Sequence, residues 1–130
     1  MILFGHRFLK SEHFYHIDSI YSIPKTPSNS TIFLHYDEKN LDIIDHLFTH
    51  SIKFALHVKN IKELVYAHAL GALYITVEKE LVKNAQKIAN DYLFDAKILV
   101  HIEDEDEIED LALLGVDGVI FVKAIIKIST

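Results

Sequence analysis

The chain has 130 residues, half of them hydrophobic, with no cysteine and a formal net charge of −6. This length and hydrophobic content predict one domain over residues 1–130 with a buried core, and the missing cysteines exclude disulfides, cysteine nucleophiles and thiolate metal sites. Residues 103–110 hold seven acids, so the rest of the chain sums to about +1, and the absence of a basic excess argues against nucleic-acid binding.

The N-terminal stretch MILFGHRFLK has one short apolar run that Gly5, His6 and Arg7 interrupt. Such a run is typical of an edge strand and not of a signal peptide. No stretch of the chain reaches the roughly 18 apolar residues of a membrane span. The sequence therefore predicts a cytoplasmic protein without a membrane partner.

Four short segments share one pattern of an apolar residue, a histidine, an apolar residue and a charged residue. Three of them end apolar runs that are rich in Ile, Val and Phe, as buried parallel strands are. The segments are Tyr15–Asp18, Leu34–Asp37, Leu56–Lys59 and Val100–Glu103.

Helical patterns lie between these segments. Asn60 with Glu63, and Asp104 with Glu107, have the spacing of a capping box, and Gly71 and Gly115 fit the ends of the two helices that follow. A short helix is predicted near Asp18–Ile23, followed by a loop over Pro24–Ser30. The predicted buried faces are Leu41, Ile44, Leu47 and Phe48 in one helix, Ile61, Leu64, Val65 and Ala69 in the next, and Leu81, Ala85, Ile88, Ala89 and Tyr92 in the third.

Further apolar strands follow the two glycines. When residues are counted onward from Gly71 and Gly115, Thr76 and Ile120 fall at positions that match the histidines of the other strands. Up to six strands with helices between them predict an α/β fold of short βα repeats around a parallel sheet. The sheet is expected to be a half or partial TIM-barrel-like layout, with a flavodoxin-like doubly wound sheet as the alternative.

The stretch VHIEDEDEIEDLALLGVDGVIF resembles the βα repeats of TIM-barrel enzymes, and the resemblance covers roughly residues 54–123. The whole chain is similar to small bacterial proteins with βα repeats, which implies no particular activity. A full barrel takes about 250 residues, so only part of one is expected. A partial barrel leaves open sheet edges, and homodimerisation is one way to cover them.

Residues Leu113–Lys123 are also similar to the end of response-regulator receiver domains. In that family a proline follows the lysine, whereas Ala124 follows Lys123 here. The resemblance implies a phosphorylatable aspartate at the end of a central strand. Neither FALHVKN nor ALYITVEKE offers one, so the sequence argues against phosphoacceptor function.

The strand ends hold the candidate site residues. Residues two apart in a strand share a face, so each histidine is paired with the residue two positions later. One hypothesis is a divalent metal centre with His35, His57 and His101 as ligands and Asp37, Glu78 or Glu103 as general base. The alternative is that these histidines are structural, because repeated units keep the same residue without any need for ligation. No glycine-rich phosphate-binding motif is present.

Two classes of function therefore remain open. The first is a non-catalytic α/β domain, as a homo-oligomer or an interaction module. The second is a small enzyme or a ligand-binding or metal-binding protein that uses the strand ends. A cleft with converging His35, His57 and His101 would favour the second class. The acids of Glu103–Asp110 suit the start of a helix, with a basic partner or a weakly bound cation as the alternative.

Overall fold

The computed structural model describes residues 1–128 and has one parallel sheet of eight strands that curls into a partial, TIM-like barrel. Helices pack on its outer face, and none of the described helices is long and apolar enough to cross a membrane. The strands are β1 (Ile2–Phe4), β2 (Phe14–His16), β3 (Thr31–His35), β4 (Phe54–His57), β5 (Tyr74–Val77), β6 (Lys97–Ile102), β7 (Gly118–Phe121) and β8 (Ile125–Lys127). The α-helices are α1 (Leu41–Thr49), α2 (Ile61–Ala69), α3 (Lys79–Asp91) and α4 (Ile108–Leu114).

The strand order is sequential from β2 to β7, with β1 beside β7 and β8 beside β2. A doubly wound sheet reverses its order at a switch point, so the flavodoxin-like alternative is wrong. The register confirms part of the predicted series of matching positions, since His57 lies beside both His35 and Thr76, and His101 lies beside Ile120. At the other two pairs the register is offset by two residues, so that His16 lies beside Phe33 and Thr76 lies beside Leu99.

The curl of the sheet brings its two edges to one interior. Phe4 of β1 and Phe14 of β2 stand near opposite ends of the strand order, yet their ring centroids are 4.9 Å apart. Ile125 of the other edge strand, β8, packs against the same side chains. We call this set of buried residues the inner cluster; it consists of Phe4, Phe14, Phe33, Ala55, Leu99, Ile120 and Ala124. Among the described residues, β1 and β8 form no backbone pairing with each other, so homodimerisation stays a prediction that light scattering would test.

Short connections let eight strands fit into this chain. The links from β1 to β2, from β2 to β3 and from β7 to β8 contain no α-helix, and the last two use only 3-10 helices at Ile20–Lys25 and Val122–Ala124. The helix predicted near Asp18–Ile23 is therefore a 3-10 helix that extends into the predicted loop. A second layer of core lies between the sheet and the α-helices, and includes Ile44, Leu47, Leu64 and Ala85.

Five residues that the helical patterns predict to be buried are exposed, which corrects the sequence interpretation; they are Leu41, Phe48, Val65, Ala69 and Tyr92. Phe48 is 61% exposed and Tyr92 is 73% exposed, and Leu41 is also largely outside the core, where Ile43 is buried instead. Phe48 lies over Gly71, where a Cβ atom would stand only 2.5 Å from the Phe48 Cδ1 atom. Its ring covers the end of α2 and does not enter the space between α1 and the sheet.

The acidic run links three parts of the chain. The Asp104 side chain accepts a hydrogen bond from the backbone N–H of Asp106 (2.9 Å) and forms a capping box with Glu107. Glu107 also pairs with Lys79 at the start of α3. Glu105 accepts two hydrogen bonds from Arg7 (3.1 and 3.2 Å) in the loop after β1. Much of the run is thus explained by helix capping and by ties to neighbouring segments.

Asp104→Ala is expected to lower the free energy of unfolding by about 1 kcal/mol, because the helix start loses its capping oxygen. Asp104→Asn keeps a capping oxygen while removing the charge, and is expected to change stability by only a few tenths of this amount. Urea unfolding of the two variants beside the wild-type protein measures both values. Equal losses would show that the charge of Asp104, and not its capping bond, stabilises this turn.

Candidate functional site

Four histidines form a continuous row at the carboxyl ends of the strands. The ring centroids of His16 and His35 are 5.4 Å apart, those of His35 and His57 are 5.1 Å apart, and those of His57 and His101 are 4.8 Å apart. The row crosses the mouth of the curled sheet, where ligands bind in barrels and in open α/β sheets.

The alternation of the strands positions these rings. Phe14, Phe33, Ala55 and Leu99 belong to the inner cluster, and a histidine follows each of them by two residues. Side chains two apart in a strand point to the same face, so every imidazole stands above an inner-cluster side chain. On β5 the same position holds a threonine, Thr76, which is fully buried. The histidine row is therefore the layer of the barrel interior that lies nearest to solvent.

His57 is the imidazole of the row whose ring forms a described side-chain hydrogen bond. It is 8% exposed, and its Nδ1 atom is 2.8 Å from the Thr76 Oγ1 atom. Its Nε2 atom is 3.7 Å from Glu78 Oε1. Burial, with help from the neighbouring His101 and His35, lowers the pKa of His57 to about 4. At neutral pH the ring is uncharged and keeps one nitrogen as a donor and the other as an acceptor.

The other imidazoles of the row are also held in the neutral form. Burial first, and then the charge of Lys127, lower the pKa of His16 to about 4. Burial lowers the pKa of His101 to about 4, together with the nearby His35. The pKa of His35 is lowered by burial first and then by several nearby lysines. A row of neutral imidazoles can donate and accept hydrogen bonds without a large fixed charge.

A cleft of about 370 Å³ opens beside the β2, β3 and β4 end of this row. Three lysines and two aspartates contribute charge to its wall, so its formal charge is +1 when the imidazoles are neutral. The ammonium groups of all three lysines act on the pKa of His35, which places them around one ring. The lining residues are His16, Ile17, Asp18, His35, Tyr36, Asp37, Lys39, Asn40, His57, Lys59 and Lys127. We call this space the lysine cleft.

The three carboxylates predicted as general bases are divided between two clefts, with Asp37 in the lysine cleft and Glu78 and Glu103 in a second one. Asp37 lines the lysine cleft, but its Oδ1 atom accepts a hydrogen bond from the Lys39 backbone N–H (3.0 Å) and caps a 3-10 helix. Glu78 stands beside His57. Glu103 lines a second cleft together with His101. Of the three, Glu78 is the carboxylate for which the structure gives a direct contact with a histidine of the row.

The predicted metal ligands come together only as neighbours in the row. His57 contacts both His35 and His101. Within residues 1–128, however, no group of three or more histidines and carboxylates is arranged to hold a metal ion. The metal hypothesis for these three histidines gains no support from the arrangement and stays a prediction, which metal analysis after zinc or iron reconstitution would test.

Comparison with known proteins adds no family to these observations. No family model and no curated protein sequence matches this chain. The interpretation of the site therefore depends on its own geometry and charge.

Two cationic residues of the lysine cleft, Lys39 and Lys127, were not among the predicted site residues. Lys127 lies on β8, beside His16 in the register, and Lys39 lies in the short helix after β3. The β-branched pair Ile125 and Ile126 is a weak strand signal that could have placed Lys127 on the inner face. Lys39 had no such signal, because its position depends on the turn that Asp37 caps.

Proposed function

We propose that the protein binds a small anionic ligand, such as a carboxylate or a phosphate, in the lysine cleft. The observation that carries this proposal is the gathering of Lys39, Lys59 and Lys127 around the neutral imidazole of His35. Lysine ammonium groups supply the charge for an anion, and neutral imidazoles and the Asn40 side chain supply directed hydrogen bonds.

The arrangement favours ligand binding over a purely structural role for the histidines. Structural histidines would be spread out and paired with the backbone. Here His16, His35 and His57 line one cleft, and the described hydrogen bond of the His57 ring goes to the side chain of Thr76. Lysines beside the buried imidazoles make protonation of these rings less favourable, and the lysine ammonium groups also repel one another. A bound anion would relieve both costs, which is a physical reason for this combination of residues.

Lys59→Gln is expected to weaken the binding of inorganic phosphate and of butanoate about fivefold, equivalent to about 1 kcal/mol for a partly exposed ion pair. Binding weakens because the change removes one of the three positive charges that an anion would meet in the lysine cleft. Isothermal titration calorimetry at low salt measures the affinity, and the imidazole resonances in an NMR titration report where the anion binds.

Lys83→Gln is the matched control, because Lys83 lies on the exposed face of α3 and lines no part of the lysine cleft. It removes the same charge from the protein and is expected to leave both affinities unchanged. Equal weakening by the two changes would point to nonspecific charge attraction. Failure of the wild-type protein to bind any of these anions at low salt would overturn the proposal.

A further inference from the structure

A second cleft lies on the other side of the histidine row. It has a volume of about 620 Å³ and is lined by Glu78, Lys79, His101, Ile102, Glu103, Asp104, Glu107 and Val122. We call it the glutamate cleft. The ring of His57, from the lysine cleft, contacts the ring of His101, from the glutamate cleft, at 4.8 Å. His57 also stands beside Glu78, so the two clefts are separated by little more than this pair of rings.

The two clefts have opposite charge. Four carboxylates line the glutamate cleft against one lysine, Lys79, which pairs with Glu107. Within residues 1–128, neither Glu78 nor Glu103 forms an ion pair with a lysine or an arginine. The mouth of the sheet therefore has a positive side and a negative side, with neutral imidazoles between them.

An unpaired buried nitrogen adds an independent sign of a ligand. The Nε2 atom of His101 is buried and has no hydrogen-bond partner among the described residues. Buried polar atoms are normally hydrogen-bonded, and one that is not calls for an explanation such as an ordered water, an ion or another bound molecule. This nitrogen belongs to a ring that lines the glutamate cleft, next to the boundary with the lysine cleft.

We propose that the ligand is a small zwitterion of the amino-carboxylate class, which lies across the His57 and His101 rings. Its carboxylate occupies the lysine cleft and its ammonium group lies against Glu78. This inference rests on the proposed function, because it gives the anion of the lysine cleft a second, cationic group. A ligand with both charges would be oriented by the two sides of the mouth, whereas a simple anion would meet only one side.

The test compares matched probes, namely 4-aminobutanoate with butanoate and β-alanine with propanoate. The wild-type protein is expected to bind the better-fitting amino-carboxylate about tenfold more tightly than the carboxylate of the same length, as a charge-assisted hydrogen bond to Glu78 would give. Glu78→Gln is expected to remove this advantage without weakening the binding of the simple carboxylate, because the change removes a negative charge from the neighbourhood of the lysine cleft and no positive one. Titration calorimetry of the full chain measures all of these affinities.

Glu109→Gln is the matched control, because Glu109 is exposed in the first turn of α4 and lines neither cleft. It is expected to keep the full advantage of the amino-carboxylate. If simple carboxylates bind, lose affinity in Lys59→Gln, and gain nothing from an added amine, the inference is overturned while the proposed function stands. If neither kind of probe binds, the inference is overturned, and the proposed function falls with it when inorganic phosphate also fails to bind.

Discussion

Replacing Phe14 by alanine is expected to lower the free energy of unfolding by about 3–5 kcal/mol, the usual cost of emptying a buried phenylalanine site. Phe14 is 0% exposed. Its ring packs edge-on against Phe4 at 4.9 Å and lies tilted against Tyr74 at 5.4 Å. These contacts join β1, β2 and β5, so the cavity would open in the interior of the curled sheet. Urea unfolding at neutral pH measures the loss.

Phe48→Ala is the matched control for this prediction. It removes the same side chain from a position that is 61% exposed on α1, and is expected to cost no more than about 1 kcal/mol. The pair also tests the correction to the sequence analysis, which placed Phe48 in the core. Comparable losses in the two variants would contradict the assignment of Phe14 to the buried core and of Phe48 to the surface.

Local patterns in the sequence predicted the repeat and the inner face of the strands. Alternation within a strand is a local property, so His35, His57 and His101 could be assigned to one face before the structure was known. Counting residues onward from Gly71 and Gly115, the glycines that end α2 and α4, placed Thr76 in the same layer as these histidines. The register of His57 beside Thr76 confirms that assignment.

Long-range contacts were beyond the reach of the same patterns. A strand of three residues, such as β8, is too short for periodicity to identify, and Lys127 was missed with it. The contact between Phe4 and Phe14 results from the curl of the whole sheet, which no local signal encodes. The positive and negative sides of the mouth depend on loops after different strands, so they appear only when the strands are placed side by side.

Lowering the pH from about 6.5 to about 4 is expected to destabilise the protein through the histidine row. Burial, with nearby imidazoles and Lys59, lowers the pKa of His57 to about 4 in the folded state, while the unfolded chain has the ordinary value of about 6.5. Between these values the unfolded state binds a proton that the folded state does not. The free energy of unfolding is therefore highest above pH 6.5 and falls as the pH falls, until it levels off below about 4.

The loss for one imidazole with a shift of this size is about 3 kcal/mol. Carboxylates also titrate near pH 4, so the diagnostic quantity is the difference between the wild-type protein and His57→Gln. A glutamine side chain cannot take up a proton, so the free energy of unfolding of the variant is expected to fall about 2–3 kcal/mol less between about pH 7 and about pH 4.5. Urea unfolding across this range measures both curves, and parallel curves would contradict the prediction.

NMR titration of the His57 ring connects this behaviour to the proposed ligand. In the free protein the ring resonance is expected to titrate near pH 4, and a midpoint near the ordinary value of about 6.5 would contradict the buried, neutral imidazole. A carboxylate or phosphate in the lysine cleft would offset the charge of Lys59 and favour the imidazolium form, so it should raise the midpoint. Affinity for the anion should then increase as the pH falls, because binding and protonation strengthen each other. Lowering the pH would thus destabilise the ligand-free protein and, at the same time, increase its affinity for the anion. Histidines outside the ligand site would not produce these two opposite trends.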